Sequence, residues 1–207
     1  MSFVELFIFL NCIFFKLHIS FNNFKLRHIC VFSILKLMKS NKNLVLLGMM
    51  GSGKSTIGGL LAKKLKLRFY DVDSEIEKKT NMTISEIFQK NGEAYFRNIE
   101  ESVTLELLNN INCIISLGGG GFINDKIRKE SKKKGNTIWL DCNSKILINR
   151  IKRNNKRPIS QSLNDSELKK LIINRSKIYS KSKYKINCGN MNKKEIVKKI
   201  IKLNEIL

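Results

Sequence analysis

Short, largely apolar runs alternate along this chain with longer segments whose apolar residues recur at helical spacing. Asn43–Leu47 is such a run, entering Gly48, and reads as a buried strand. Lys54–Lys66 sets Ile57, Leu60, Leu61 and Leu65 on one side and lysines on another, which predicts an amphipathic helix. Arg68–Val72 reads as a second strand, with a helix from about Ser74. Thr83–Asn109 predicts a helix broken at Asn91-Gly92, with Phe96, Ile99, Val103 and Leu107 along its buried side. Cys113–Leu117 is a third strand running into Gly118–Gly121. A helix, a strand at Thr137–Leu140 and a helix at Ser144–Ile151 follow. Residues 152–165 are polar and basic, hold the only proline, Pro158, and read as a loop. Leu168–Tyr179 predicts a helix, Tyr184–Asn187 a fifth strand and Lys193–Leu207 a closing helix. Alternating strands and helices imply an α/β fold of three layers, with a five-stranded parallel sheet between helices. There is no internal repeat.

Residues 1–37 break this pattern, holding eight of the chain's twelve phenylalanines. The apolar run 3–15 carries Glu5 and Asn11 and stops at Lys16. As a helix it would reach about 20 Å, short of a bilayer core of about 30 Å. A basic leader and a small-residue cleavage site are both missing, so a secretory signal is not expected. The reading adopted is an extension ahead of a true start at Met38. Organelle targeting and membrane attachment are the alternatives. One domain, residues 38–207, is left, and the expected compartment is the cytoplasm.

Composition alters the picture in two places. Lys and Arg exceed Asp and Glu by 39 to 17, a formal net charge of +22, which invites a nucleic-acid reading. However, Lys outnumbers Arg 31 to 8, and Ile and Asn are swollen to 28 and 23. All three have A/T-rich codons, so base composition explains much of the charge. The positive field would still draw anionic small molecules. The second is an absence: His18 and His28 are the only histidines, so triads and dyads built on histidine are excluded beyond residue 38. Cys12, Cys30, Cys113, Cys142 and Cys188 never fall in CxxC spacing, which argues against structural zinc or a disulfide framework and for a reducing compartment.

The chemistry starts at Gly48–Ser55, which fits GxxxxGK[ST] between a predicted strand and helix. Glycines let the backbone of such a loop wrap a polyphosphate, Lys54 reaches the phosphates, and the Ser55 hydroxyl ligates Mg²⁺. Asp71-Val72-Asp73 closes the second strand, at the sheet edge where α/β folds bind ligands. Two carboxylates there suit a metal ion and an attacking hydroxyl, although Asp73 could instead cap the next helix. Phe96-Arg97-Asn98-Ile99-Glu100 lies on a helix, and four glycines after a buried strand suggest close approach of a ligand to the backbone.

Together these pieces resemble the shikimate kinases, whose pattern is GxxGxGKS, an FxDxD strand end, a GExxFRxxE helix, an SLGGG turn, a basic RP lid and a late RxxxY helix. Here they stand as Gly48–Ser55, Phe69–Asp73, Gly92–Glu100, Ser116–Gly120, Arg157-Pro158 and Arg175–Tyr179, in order across residues 43–207. The resemblance implies a P-loop kinase with a lid at about 152–165, probed by ATP and shikimate as a monomer, with Mg²⁺ as cofactor. It implies nucleotide contacts at Gly51, Ser52, Gly53, Lys54, Ser55, Thr56, Arg150 and Arg157, and metal contacts at Ser55 directly and Asp71 through water. Asp73, Arg97, Gly119, Gly120 and Arg175 would bind shikimate, with Lys54, Asp73 and Arg157 catalytic. Arginine scarcity sharpens this, because guanidinium is the group Lys cannot replace in a carboxylate or phosphate clamp. Two departures stand out: Gly121 where a small residue such as Ala is common, and Asn192 where relatives carry a nucleotide-contacting Arg.

Two rivals remain. A gluconate or nucleoside-monophosphate kinase shares the phosphate loop but does not require the FRxxE and LGGG pair. A nucleic-acid-associated NTPase would use Thr137–Asp141 as its second acidic strand, but Cys142 stands where an acidic partner is needed and no aromatic–basic interleaving suits base stacking. The expected partners are therefore ATP and shikimate, with no nucleic acid and no stable membrane association.

Overall fold

Leu44 and Leu46 face one way from the first strand, Val45 and Leu47 the other, and burying both pairs fixes the architecture. In the computed structural model, which describes residues 42–153, 163–189 and 191–205, strand β1 (Asn43–Leu47) is buried at every position. It is central in a five-stranded sheet of order β2-β3-β1-β4-β5, with β2 Arg68–Asp71, β3 Cys113–Ser116, β4 Gly135–Asp141 and β5 Tyr184–Asn187. All pairings are parallel, with Val45 beside Ile115 on one flank and Thr137 on the other. The three-layer α/β expectation is met.

One face carries α1 (Lys54–Leu65) and α7 (Lys193–Glu205), whose Ile57, Leu61, Ile196 and Ile200 pack on Leu44, Leu46, Ile138 and Ile186. The other carries α2 (Val72–Thr80), α3 (Ile84–Leu107), α4 (Asp125–Lys134), α5 (Ser144–Lys152) and α6 (Asp165–Tyr179). Ile76, Phe96, Ile127, Leu147 and Ile172 from these helices meet Val45, Leu47, Ile115 and Trp139. Each such side chain contributes about 1.5–3 kcal/mol by leaving water. Central β1 and β3 are therefore continuous apolar runs, whereas edge strands β2 and β5 are only partly buried.

Local chemistry sets the element ends. Thr83 and Glu86 form a reciprocal capping box at the start of α3, and Asn164 and Glu167 do the same for α6. Gly92, at φ 80° and ψ 175°, kinks α3 at the predicted break. The second strand ends earlier than the sequence suggests. Asp71 is the N-cap of α2 and accepts a hydrogen bond from the Asp73 backbone N–H, so Val72 and Asp73 are already helical. Asp73 therefore sits in the first turn of α2, not at a strand end, and Asp71 is the residue that caps. β4 runs longer than predicted, and α6 starts at Asp165.

Every described residue belongs to the unit Ser40–Leu207. Residues 1–37 and most of the predicted lid, with Arg157 and Pro158, lie outside the described residues. Among those described, no helix is long and apolar enough to cross a membrane.

Candidate active site

The chain turns back at β1: β3 lies on one flank and β4 on the other, and between their carboxyl ends opens the crevice such sheets use for ligands. Gly48–Ser55 fills that crevice. All three glycines of the loop have positive φ, at 144° for Gly48, 77° for Gly51 and 91° for Gly53, a backbone that side-chain-bearing residues rarely adopt. Gly53 is also the N-cap of α1 without a side-chain cap, so the first backbone N–H groups of the helix face the cleft. Lys54 is buried, and its Nζ donates to the carbonyls of Gly48 (2.9 Å) and Met49 (3.1 Å). The Lys54 side-chain end and a row of N–H donors thus converge on one concavity.

The cleft has a volume of about 520 Å³ and is lined by Gly51, Gly53, Lys54, Ser55, Thr56, Asp71, Asp73 and Arg150, among others. Ser55 Oγ donates to Asp71 Oδ2 at 2.5 Å. A hydroxyl and a carboxylate oxygen held this close, beside a polyphosphate cradle, make the hard oxygen-donor set that suits a divalent cation such as Mg²⁺. Arg150 reaches across from α5 and donates from Nη1 to the Gly51 carbonyl at 3.0 Å. The predicted nucleotide side is thereby gathered in one place, Arg157 excepted. Ser52 is buried at the base of the loop, its carbonyl 3.6 Å from Cys142 Sγ.

A second cluster lies across Asp73. Beyond the Gly92 kink, α3 brings Arg97 and Glu100 against the turn Gly118–Gly120. None of the four consecutive glycines, Gly118–Gly121, has positive φ. Their role is room: a Cβ on Gly120 would lie 2.5 Å from Arg97 Nη1, and one on Gly118 would strike Glu100 Oε1 and come within 2.9 Å of Asp73 Oδ1. The close approach foreseen for a ligand is thus made by the chain's own acid and guanidinium groups. From the opposite wall, α6 supplies Arg175 and Tyr179, both donating to the Gly119 carbonyl, Arg175 at 3.3 Å. Arg175 Nη1 also rests 3.8 Å from Met49 Sδ of the phosphate loop. This contact joins the two clusters.

Arg97 uses three of its five N–H groups on carboxylates. Nη1 donates to Glu100 Oε2 at 2.6 Å, while Nε and Nη2 donate to Glu93 Oε1 at 3.1 and 2.9 Å. One N–H on each Nη is left outside these pairs, and guanidinium N–H groups are the donors that bind carboxylates bidentately. Burial works against the Arg97 charge, but the pairs with Glu100 and Glu93 outweigh it and raise its pKa. Glu100, 2% exposed, has its carboxyl pushed up by burial and drawn partly back by Arg97 and Arg175. Sequence reasoning assigned no role to Glu100, Glu93 or Tyr179. The signal for Glu100 was its i,i+3 spacing from Arg97, and for Tyr179 its place one turn after Arg175.

Asn192, standing where a nucleotide-contacting Arg is common, instead exchanges capping hydrogen bonds with Glu195 at 2.8 and 3.0 Å.

Comparisons with known proteins converge. The family model described as shikimate kinase matches residues 50–205. A shikimate kinase of Bartonella quintana is 40% identical over 180 residues, covering 85% of this chain and 86% of its own. A solved shikimate kinase of Acinetobacter baumannii, in complex with shikimate, superposes with a TM-score of 0.77 at 33% identity, covering 81% of this chain and 95% of that one. The crystal structure of the Aquifex aeolicus shikimate kinase gives a TM-score of 0.70 at 39% identity, covering 78% and 95%.

Proposed function

The chain belongs to the shikimate kinase family, and on that premise we propose how its site performs the family's reaction. The reaction is phosphoryl transfer from ATP to the 3-hydroxyl of shikimate, yielding shikimate 3-phosphate and ADP. Phosphoryl transfer asks the protein mainly for alignment and charge stabilisation. The supporting observation is the meeting of two guanidiniums, Arg97 and Arg175, on the Gly119–Gly120 turn next to Asp73 and the phosphate loop.

Backbone N–H groups from Gly51 to Thr56 and the Lys54 ammonium hold the phosphates of ATP. Lys54 leaves its two loop carbonyls to do so. The free fork of Arg97, with Arg175, takes the shikimate carboxylate, and the backbone of Gly119 and Gly120 lies along the ring. Glu100 and Glu93 are positioning residues that hold the Arg97 plane. Asp73 accepts a hydrogen bond from the 3-hydroxyl and takes its proton as the new P–O bond forms. Ser55, and Asp71 through water, would hold Mg²⁺, which would supply charge screening for the phosphate oxygens. Arg150 packs beside the base, and Arg157 offsets charge on the transferring group together with Lys54. The working unit is a monomer, and the cysteine spacing supports a cytoplasmic location.

The test is ADP release by the full chain with Mg-ATP, alone and with shikimate, gluconate or nucleoside monophosphates. Release that depends on shikimate alone is expected. Release with another acceptor would overturn the roles of Arg97 and Arg175, and no release with any acceptor would overturn the kinase reading.

A further inference from the structure

Cys142 and Cys188 stand one step beyond the last paired residues of β4 and β5, where Leu140 faces Ile186 and Asp141 faces Asn187. The ladder continues to them, since the Cys188 N–H donates to the Asp141 carbonyl at 2.7 Å. Side chains alternate along a strand, so both thiols emerge on the face of Leu140 and Ile186. Neighbouring strands lie about 4.8 Å apart, inside the span of about 4.4–6.8 Å between Cα atoms that a disulfide bridges. Each thiol donates to a backbone carbonyl, Cys142 Sγ to that of Ser52 at 3.6 Å and Cys188 Sγ to that of Ile186 at 3.4 Å. Both cysteines are free.

Access and reactivity are unequal between the two. Cys142 lines a cleft of about 470 Å³ at the ends of β4 and β5, beside Asn187 and Gly189, whereas Cys188 is buried. The neighbouring Cys188 side chain holds the Cys142 thiol below its usual range, with Arg150 and Lys54 adding to this and burial and Asp141 opposing it. Cys188 is pushed up by the adjoining Cys142, by burial and by the Asp141 charge. The cleft-lining Cys142 is thus placed to meet an external disulfide first and the buried Cys188 to follow from behind it.

We propose that Cys142 and Cys188 form a modification site, a cross-strand dithiol that small-molecule disulfides oxidise to an intramolecular disulfide, and that this oxidation weakens ATP binding. The Cys142 thiolate attacks one sulfur of a disulfide RSSR. A mixed disulfide forms, the RS–SR bond breaks, and the departing thiolate takes up the proton Cys142 released. Cys188 Sγ then attacks the Cys142 sulfur, expelling the second RSH with the proton Cys188 gives up. Two protein thiols are oxidised and one external disulfide is reduced to two thiols. Drawing the sulfurs to bonding distance takes Cys142 Sγ from the Ser52 carbonyl, 3.6 Å away in the base of the phosphate loop. That movement is the link to ATP.

The full chain is incubated with oxidised glutathione, then mapped by peptide mass spectrometry, with ATP affinity measured by titration before and after. Expected are a Cys142–Cys188 cross-link with loss of two hydrogens, a loss of ATP affinity and full reversal by dithiothreitol. In Cys188→Ser, a glutathione adduct should accumulate on Cys142. In Cys142→Ser, Cys188 should stay unmodified. Cys142 left unmodified, or Cys188 reacting first, would overturn the dithiol. A cross-link with unchanged ATP affinity would overturn its link to the loop.

Discussion

Gly120 is where a single absent side chain is needed most, because a Cβ there would lie 2.5 Å from Arg97 Nη1. Gly120→Ala should therefore displace the guanidinium, raising the KM for shikimate while leaving that for ATP near its original value; steady-state kinetics with each substrate varied will check this. Asp73→Asn keeps shape and hydrogen-bonding reach but cannot take a proton. It should bind ATP normally and lose roughly 10²–10⁴ in kcat, the usual scale for a positioned base. Glu100 gives a pH test. A carboxyl whose pKa is raised on folding binds protons more tightly in the native state. Its contribution to stability is full below the ordinary value of 4.5 and is lost as pH rises through the raised one. The Tm of the wild type should consequently fall, relative to Glu100→Gln, as pH climbs above 4.5. A constant difference between the two profiles would show that Glu100 does not titrate differently in the fold.

Among the elements, α3 matters most, since its kink aims Arg97 and Glu100. Gly92 has φ and ψ that glycine alone adopts without strain, so Gly92→Ala should cost about 1–3 kcal/mol in denaturant unfolding. It should also lower kcat/KM for shikimate. This break was legible in the sequence because Asn-Gly interrupts a strong helical period. So were the five strands, because central β1 and β3 are buried on both faces and read as unbroken apolar runs. The end of β2 was not. Phe69-Tyr70-Asp71-Val72-Asp73 alternates well enough to pass for strand throughout, and only the turn of the Asp71 side chain back onto the Asp73 N–H stops it. Arg97 and Arg175 were legible as scarce arginines inside a motif. The place of Glu100 against Gly118 was not, because that contact joins a helix to a turn far along the chain, and no local period records it.

Across the whole molecule, parallel topology sends every strand's carboxyl end, and with it the phosphate loop, to one pole. The last turns of the intervening helices carry Lys63 and Lys64 in α1, Lys132–Lys134 in α4 and Lys202 in α7, where cations complement the helix dipole. Part of the net charge of +22 is thus placed where it steadies helices, and Lys54 and Arg150 line the cleft proposed to take two anionic substrates. The field should speed their capture. Raising ionic strength should lower kcat/KM for both ATP and shikimate while kcat changes little; insensitivity to salt would show that the charge has no part in steering.

Because β3 lies between β2 and β1, Asp73, Arg97, Glu100 and the glycine turn all come from one uninterrupted stretch, residues 68–123, tied to the rest of the sheet along the single seam between β3 and β1. On the roles proposed for these residues, acceptor recognition is a cassette, separable in sequence from the phosphate loop before it. Retargeting this scaffold to another hydroxy acid would mean exchanging that cassette and remaking one residue on the far wall, Arg175.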